Sequence, residues 1–411
     1  PEEFRRNHEF VNCRIFCMEK RLWPKFASSF PNKPAMVFED TLRQAAPSYS
    51  LKPEQNFDPQ RDAALMFTSG TTSRPRAVRI THRNIQANTD SIIEYLSLTE
   101  QERMMAVLPF YYCFGTSLLH THLRAGGTLV ISNSFIYPET VLDLMESARC
   151  TGFAGVPSTY QMLLRNSTFP KRKLGSLRKL QQAGGKLQNV LIDELIAAQL
   201  QAQVFVMYGQ TEATARLSYL PPHLLSSKSG SIGKGIPRVR LRVVGESGCE
   251  AQPNEVGEII AKGDNISPGY LDDPEATAAK FVNGELHTGD LAKVDEDGFI
   301  YVVDRKADFI KTLGYRVSSQ EIEACIMELS DVMGTAAIGE PDLVKGEAIK
   351  VFAVLRNGAK TTPREIIVHC QKRLARHMVP QEVVFVSQLP MNAHGKVVKS
   401  ELRKSAVTSP A

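Results

Sequence analysis

From about residue 60 to about residue 207, short apolar runs alternate with segments of helical spacing, and this alternation leaves few folds open. Ala63–Phe67, Met104–Leu108, Thr128–Ile131, Gly152–Val156, Leu177–Gln181 and Val204–Met207 read as strands. Between them, Asn84–Leu96, Ser117–Leu123, "ETVLDLMESAR" behind Pro138, Thr159–Leu164 and Val190–Leu200 read as helices, with Pro138 suited to a first helical position. Apolar strands interleaved with longer helices predict a mainly parallel sheet covered by helices.

The texture changes after about Ser229. "LRVVGESG", "VGEIIAKG" and "AKVDEDGFIYVV" are short β-like segments parted by Gly and Asp, and predict a small antiparallel or barrel-like subdomain over about 229–306. From Ala307 a third pattern begins. Ser318 and Glu321 form a capping-box pair opening the helix "SSQEIEACIMEL". The strand-like "GTAAIG" and "AIKVFAVL", the helix "PREIIVHCQKRL" and "EVVFV" follow. The fold class expected is α/β, with a large N-terminal domain over 1–306 and a small mobile α+β domain over 307–411.

Composition narrows the function classes. The 411 residues are 43% hydrophobic and 23% charged, as in ordinary globular proteins. The net charge of +5 is spread along the chain. No basic stripe with interleaved aromatics marks a nucleic-acid binder, although a mild positive charge suits nucleotides or coenzyme A. No apolar run is long enough to span a membrane, and no signal peptide is visible. The seven Cys include no C-x-x-C pair, which points to buried free thiols in a reducing, cytoplasmic setting. Cys13 and Cys17 are spaced for one helix. His120 and His122 sit two apart on a helix and face apart, which argues against a metal pair.

Four motifs carry candidate chemistry. In "MFTSGTTSRPRAVRITHRN", an apolar strand feeds Thr68, Ser69, Gly70, Thr71 and Thr72, with Arg76 beyond. Backbone N–H groups, hydroxyls and a cation suit phosphate oxygens, though taken alone such a stretch is more often just a polar turn. In "MYGQTEATAR", Tyr208, Gly209, Thr211 and Glu212 follow a strand, where ligands bind in open parallel sheets. Tyr208 could stack on a base, Thr211 bond a phosphate and Glu212 hold Mg2+. Arg216 reads first as an i,i+4 partner of Glu212, and otherwise as a counter-charge for a polar or second-carboxylate substrate. In "GELHTGDLAKVDEDGFIYVVDRKADFIKTLGYRV", Asp290 can take two ribose hydroxyls and Arg305 is a nearby cation. In "LPMNAHGKVVKSELRK", Lys396 follows Gly395 in a loop.

The order and separation of these blocks resemble the adenylate-forming superfamily of acyl- and aryl-CoA synthetases, peptide-synthetase adenylation domains and firefly luciferase. That family's T-S-G-T-T-G-x-P-K-G is similar to Thr68–Ala77, and its Y-G-x-T-E to Tyr208–Glu212. Its G-Y-x-x-x-P-x-x-T is similar to "GYLDDPEAT" from Gly269, and its T-G-D to Thr288–Asp290. Its D-R-x-x-D-x-I-K-x-x-G matches Asp304–Gly314, and its P-x-x-x-x-G-K matches Pro390–Lys396. The resemblance spans about residues 60–404. It implies that a small-molecule carboxylic acid attacks the α-phosphate of ATP, giving an acyl-adenylate and pyrophosphate. A thiol, from coenzyme A or the phosphopantetheine of an acyl carrier protein, then takes the acyl group. Lys396 would bridge carboxylate and α-phosphate, and Mg2+ on Glu212 would neutralise the leaving pyrophosphate. Gly184 and Gly185 in "AGGKL" would wall the adenine and acyl pockets. The Gly314 position would border the thiol channel after the small domain rotates.

Departures from the family pattern are specific. Ser73 and Ala77 replace glycines and Arg76 a lysine, so a more ordered loop is expected. Ala307 stands where the hinge is commonly Asp or Lys. Cys113 stands where amino-acid-activating domains place Asp, which makes an α-amino acid a poorer substrate. Tyr112 stands where CoA synthetases often carry His, and Tyr111, Tyr112 and Phe114 either line the approach to the pocket or simply pack behind the loop. Residues 1–60 resemble only the last part of what precedes the loop in the family, so an exposed apolar face or a covering partner is expected. A non-catalytic nucleotide-binding or scaffold protein descended from the family is the alternative function.

Overall fold

The structure, a computed structural model, describes residues 7, 9–11, 15–26, 35–37, 56–68, 76–198, 201–305, 308–391 and 397–407. It divides into two compact units, residues 1–59 with 72–75 and residues 60–71 with 76–411. In the first, β1 (Phe16–Met18) pairs in parallel with β2 (Ala35–Val37), and Trp23 and Phe26 of α1 (Trp23–Phe26) pack on Met18. Cys17 therefore lies in a strand and not in the helix its spacing from Cys13 suggested, because pairing with Met36 overrides the local pattern. Cys13 itself lies outside the described residues.

The second unit opens with an antiparallel pair, β3 (Asp62–Thr68) and β4 (Arg76–Thr81). Thr68 stands opposite Arg76, so the two ends of the candidate phosphate loop are held one strand apart. Thr81 then caps α2 (His82–Leu96). Its hydroxyl accepts from the Asn84 N–H at 3.1 Å, and the Asn84 amide oxygen accepts from the Thr81 N–H at 3.0 Å. The Asn84 amide also donates to the carbonyls of Asp264 and Ile266, tying the helix to the β-rich region far along the chain.

The predicted alternation is present: β5 (Arg103–Ala106), α3 (Cys113–Ala125), β6 (Thr128–Ile131), α4 (Pro138–Ser147), β7 (Gly152–Gly155), α5 (Pro157–Asn166), β8 (Lys179–Gln182), α6 (Asn189–Ala197) and β9 (Gln203–Tyr208). β9, β8, β7, β5 and β6 lie side by side and parallel in that order. Two short antiparallel strands, β10 (Ser218–Leu220) and β11 (Lys234–Gly235), extend the β9 edge. Helices cover both faces, which is why most of these strands are rich in apolar residues. Met104, Ala154, Phe205 and Met207 pack with Ile92, Leu96, Phe114 and Leu118 of α2 and α3 on one side. Met105, Phe153, Leu180 and Val206 pack with Leu142, Tyr160 and Ile192 of α4, α5 and α6 on the other. α3 begins at Cys113, four residues before the expected start. Gly115 permits this, since a Cβ there would stand 2.1 Å from the Pro109 carbonyl oxygen.

Beyond this sheet come β12 (Arg240–Val244), β13 (Gly257–Lys262), β14 (Gly269–Tyr270), α7 (Pro274–Lys280), β15 (Phe281–Val282), β16 (Glu285–Val294) and β17 (Ile300–Arg305). Apart from β14, which joins β4, these strands form one antiparallel sheet, as the Gly- and Asp-parted segments predicted. The remaining elements are β18 (Ile310–Thr312), β19 (Tyr315–Val317), α8 (Ser319–Met327), β20 (Val332–Asp342), β21 (Gly346–Leu355), α9 (Pro363–Arg373), β22 (Glu382–Phe385) and α10 (Lys399–Val407). They build a separate sheet, and Ile322, Ile326, Ile349, Val351, Ile366 and Cys370 form its core with α8 and α9. Of the cysteines described, Cys113, Cys150, Cys325 and Cys370 are buried thiols, while Cys17 and Cys249 are exposed, against the expectation of uniform burial.

Asp304 joins the end of β17 to this last sheet. It is 1% exposed, and its Oδ2 accepts from the Ser319 N–H at 2.7 Å and from the Ser319 and Ser318 hydroxyls at 2.8 and 3.2 Å. Asp304→Ala strands these buried donors at the start of α8 and should lower stability by roughly 2–4 kcal/mol, with Asp304→Asn costing less. Urea denaturation checks this, and a midpoint unchanged in the Ala variant would remove Asp304 from that role.

Candidate active site

The central sheet reverses its strand order between β5 and β7. The chain goes from β5 out to β6, then returns past β5 to β7, β8 and β9. Such a switch point opens a crevice at the carboxyl ends of the strands. The segments that leave those ends carry Tyr112 and Cys113 after β5, Val156 after β7, Gly184 and Gly185 after β8, and Tyr208 to Glu212 after β9. Sequence reading placed candidate residues on three of these four segments.

Gly209 is fixed by close approach. A Cβ there would lie 1.8 Å from the Ala215 carbonyl oxygen, because the chain doubles back and the Leu217 N–H donates to the Tyr208 carbonyl at 2.8 Å. The Tyr208 hydroxyl donates to Asp290 Oδ2 at 2.5 Å. Burial, and then the Asp290 charge, hold the Tyr208 phenol well above its ordinary pKa, so it stays a donor at neutral pH. Strand register sets the rest. Asp290 on β16 stands directly opposite Arg305 on β17, and Asp290 Oδ1 is 3.4 Å from Arg305 Nε. The Thr288–Asp290 segment, an irregularity in the β13–β16 pairing, is held by several contacts. The Thr288 hydroxyl donates to the Ile259 carbonyl at 2.7 Å, and the Gly289 N–H donates to Glu258 Oε1 at 2.9 Å. Lys280 Nζ donates to the Thr288 carbonyl at 2.6 Å.

Thr211 and Glu212 occupy a single 3-10 turn, Thr211–Ala213. The Tyr270 hydroxyl donates to Glu212 Oε1 at 2.8 Å, leaving Oε2 without a hydrogen bond among the described residues. A carboxylate oxygen free in this way fits Mg2+, which prefers hard oxygen ligands. Arg76 lies over the Tyr270 ring at 5.4 Å and 3.3 Å from Asp273, so the end of the phosphate loop and Glu212 share one neighbour. The Thr211 hydroxyl faces Cys113 Sγ at 3.7 Å. Gly184 has φ +89°, and a Cβ there would stand 2.8 Å from the Tyr112 hydroxyl. Tyr112, Cys113, Gly184, Thr211 and Glu212 thus meet at one end of the sheet.

Other expectations fare differently. Ser69, Gly70, Thr71, Thr72, Ser73, Ala307 and Lys396 lie outside the described residues. The segment holding Lys396 is flanked by a Met391–Val397 bridge and by the Val398 N–H donating to the Pro390 carbonyl. Gly314 sits in the β18–β19 turn at φ +80°, where a Cβ would meet nothing, so backbone conformation is what calls for glycine. Ala77 is no part of the loop. It is fully buried in β4 opposite Phe67, and its share in the expected stiffening falls away. Arg216 is not an i,i+4 partner of Glu212, because the turn ends at Ala213 and Thr214 takes φ +66°. Among the described residues no group of three His, Cys, Asp or Glu side chains could hold a metal ion. His122 is fully buried, with Nδ1 2.9 Å from the Leu118 carbonyl.

Sequence reading gave no role to Tyr270, Asp273 or Lys280. The first two lie within "GYLDDPEAT", where the motif itself was the available signal, whereas Lys280 becomes visible only when α7 folds onto the Thr288–Asp290 segment. Tyr270→Phe removes only the hydroxyl that orients Glu212. The Mg2+ concentration for half-maximal ATP–pyrophosphate exchange should rise about five- to tenfold, as loss of a net bond of about 1 kcal/mol implies. An unshifted Mg2+ titration would take Tyr270 out of the site.

Comparison with known proteins agrees with this geometry. The AMP-binding enzyme profile matches residues 24–271, and the AMP-binding enzyme C-terminal domain profile matches residues 321–396. A long-chain-fatty-acid–CoA ligase of Salmonella typhimurium is 34% identical over 394 residues, covering 94% of this chain and 68% of that protein. A feruloyl-CoA synthase of Amycolatopsis is 34% identical, covering 83% of this chain and 69% of that protein. The o-succinylbenzoate CoA synthetase of Bacillus subtilis, solved with its acyl-adenylate intermediate, superposes with a TM-score of 0.88 at 27% identity, covering 100% of this chain and 81% of that one. The same synthetase has been solved with ATP and a magnesium ion. No described helix is long and apolar enough to cross a membrane. With the family profile matching more than half its length, this chain belongs to the AMP-binding enzyme family.

Proposed function

We propose that the protein joins a carboxylic acid to the thiol of coenzyme A at the expense of ATP, through an acyl-adenylate. The observation that carries this reading is the cluster at the end of β9. Tyr208, Asp290 and Arg305 form a ribose-binding corner, and Glu212, in the 3-10 turn after β9, has a carboxylate oxygen without a hydrogen bond among the described residues. The names of the three relatives above, a CoA ligase, a CoA synthase and a CoA synthetase, support the acceptor.

In the first half-reaction a carboxylate oxygen of the acid attacks the α-phosphorus of ATP. The bond from that phosphorus to the β-phosphate bridging oxygen breaks, and pyrophosphate leaves. The carboxylate is already a nucleophile, so the protein has to position and to stabilise charge. Asp290 takes the ribose hydroxyls through Oδ1, since Oδ2 is engaged by Tyr208. Thr211 and the loop from Thr68 to Arg76 hold phosphate oxygens. Glu212 would hold Mg2+, which supplies positive charge against the departing pyrophosphate. Lys396 would bridge the two reacting anions, the role that the match of Pro390–Lys396 to the family motif supports. In the second half-reaction the thiol sulfur, losing its proton, attacks the acyl carbonyl and AMP leaves, with Gly314 beside the path of the pantetheine arm.

Carboxylate-dependent ATP–pyrophosphate exchange over a panel of acids tests the reading. The wild type should exchange with at least one acid, and Lys396→Ala should lose about a hundredfold or more. Absence of exchange with every acid would refute the ligase reading, and undiminished exchange in the variant would refute the lysine's role. Coenzyme A, and not a phosphopantetheinyl carrier protein, should then yield the thioester.

A further inference from the structure

Arg216 has the largest side chain among those fully buried in the described structure, at 1% exposure. Its backbone is fixed from two sides. The amides of Asn88 and Asn265 donate to its carbonyl at 3.0 and 2.9 Å, and its N–H donates to Asn88 Oδ1 at 3.3 Å. Its guanidinium carbon lies 3.9 Å from the centre of the Phe114 ring, which covers one face of the group. Yet Nε and Nη2 have no hydrogen-bond partner among the described residues.

Those two nitrogens form the side edge of the guanidinium, whose parallel N–H bonds match the two oxygens of a carboxylate. The chain uses this same edge elsewhere. Arg165 Nε and Nη2 converge on Glu194 Oε1 at 3.1 and 2.7 Å, and Arg172 Nε and Nη2 converge on Glu146 Oε2 at 3.2 and 2.6 Å, so the edge serves carboxylates there. At Arg216 this edge is buried and unpaired among the described residues, and the Tyr95 hydroxyl, which interacts with the guanidinium, brings no counter-charge. The Tyr95 hydroxyl donates to Met207 Sδ at 2.9 Å, and burial raises its pKa to about 12. Burial raises the Tyr112 phenol as well. Both are uncharged at neutral pH, and a buried cation without a counter-charge is costly unless a ligand supplies one.

The residues around this side chain point to the ligand. Phe114, beneath the guanidinium, directly follows Tyr112 and Cys113, and Cys113 faces Thr211. We propose that Arg216 binds a second carboxylate of the acid substrate, so that the protein activates dicarboxylic acids and its unpaired side edge selects them. This deepens the ligase reading and rests on it for the place of the first carboxylate.

The test compares linear dicarboxylic acids of increasing length with their monomethyl esters, in the wild type, Arg216→Lys and Arg216→Met. In pyrophosphate exchange the wild type should favour one diacid over its ester by at least about tenfold in kcat/KM. Arg216→Met should erase that preference, and Arg216→Lys, a point charge without the fork, should keep part of it. Calorimetric binding of the diacid in the presence of a non-hydrolysable ATP analogue gives a readout independent of turnover. Binding to the wild type but not to Arg216→Met supports the assignment even if no acid supports exchange, an outcome that would refute the ligase reading alone. Equal use of ester and diacid, a preference that survives in Arg216→Met, or no diacid bound or activated by the wild type overturns it. If Arg216→Met does not fold, the wild-type contrast between diacid and ester decides.

Discussion

The hydrogen bond from Tyr208 to Asp290 is the interaction on which the site depends. It joins the last residue of a parallel strand to β16 in a different, antiparallel sheet, 82 residues further along the chain. A bond between a buried phenol and a carboxylate is stronger than a neutral one, typically about 1.5–3 kcal/mol net. It also leaves Asp290 one oxygen for other work. The β16–β17 register adds Arg305 beside it, and the Glu258, Ile259 and Lys280 contacts hold the Thr288–Asp290 segment in place.

The two-sided burial of the central sheet makes that bond possible. α2 and α3 cover one face and α4, α5 and α6 the other, so the strands cannot slip without exposing apolar side chains. Their carboxyl ends then become a fixed rim. Gly115 and Gly209 lie on this rim at contacts too close for any side chain, and Gly184 faces the Tyr112 hydroxyl there. Stability and site geometry are therefore coupled: the packing that holds the sheet also sets the distances around Glu212 and Thr211.

Much of the architecture was legible because its signals are local and periodic. The Pro138 helix start, the Thr128–Ile131 strand and the Ser318 cap appear where sequence put them. Misses came where distant contacts override local pattern. α3 starts early because Gly115 fits under Pro109, and Ala77 belongs to a buried strand that pairs with Phe67. Cys17 is drawn into a strand by Met36, and Arg216 leaves the helical path at Thr214.

By itself the sequence determined the alternation of strands and helices, the β-rich insertion, and the order of the phosphate-loop, Tyr-Gly, Thr-Gly-Asp and Gly-Lys motifs. These follow from side-chain periodicity and turn chemistry, which act over a few residues. Only the tertiary structure decided that Tyr270 holds Glu212, that Lys280 supports the Thr288–Asp290 segment, and that the Arg216 guanidinium is buried with one edge unpaired among the described residues. Those are meetings of residues tens to hundreds of positions apart, and no local rule ranks one such partner over another. Burial then settles what each group can do, by removing the water that would otherwise satisfy its charge.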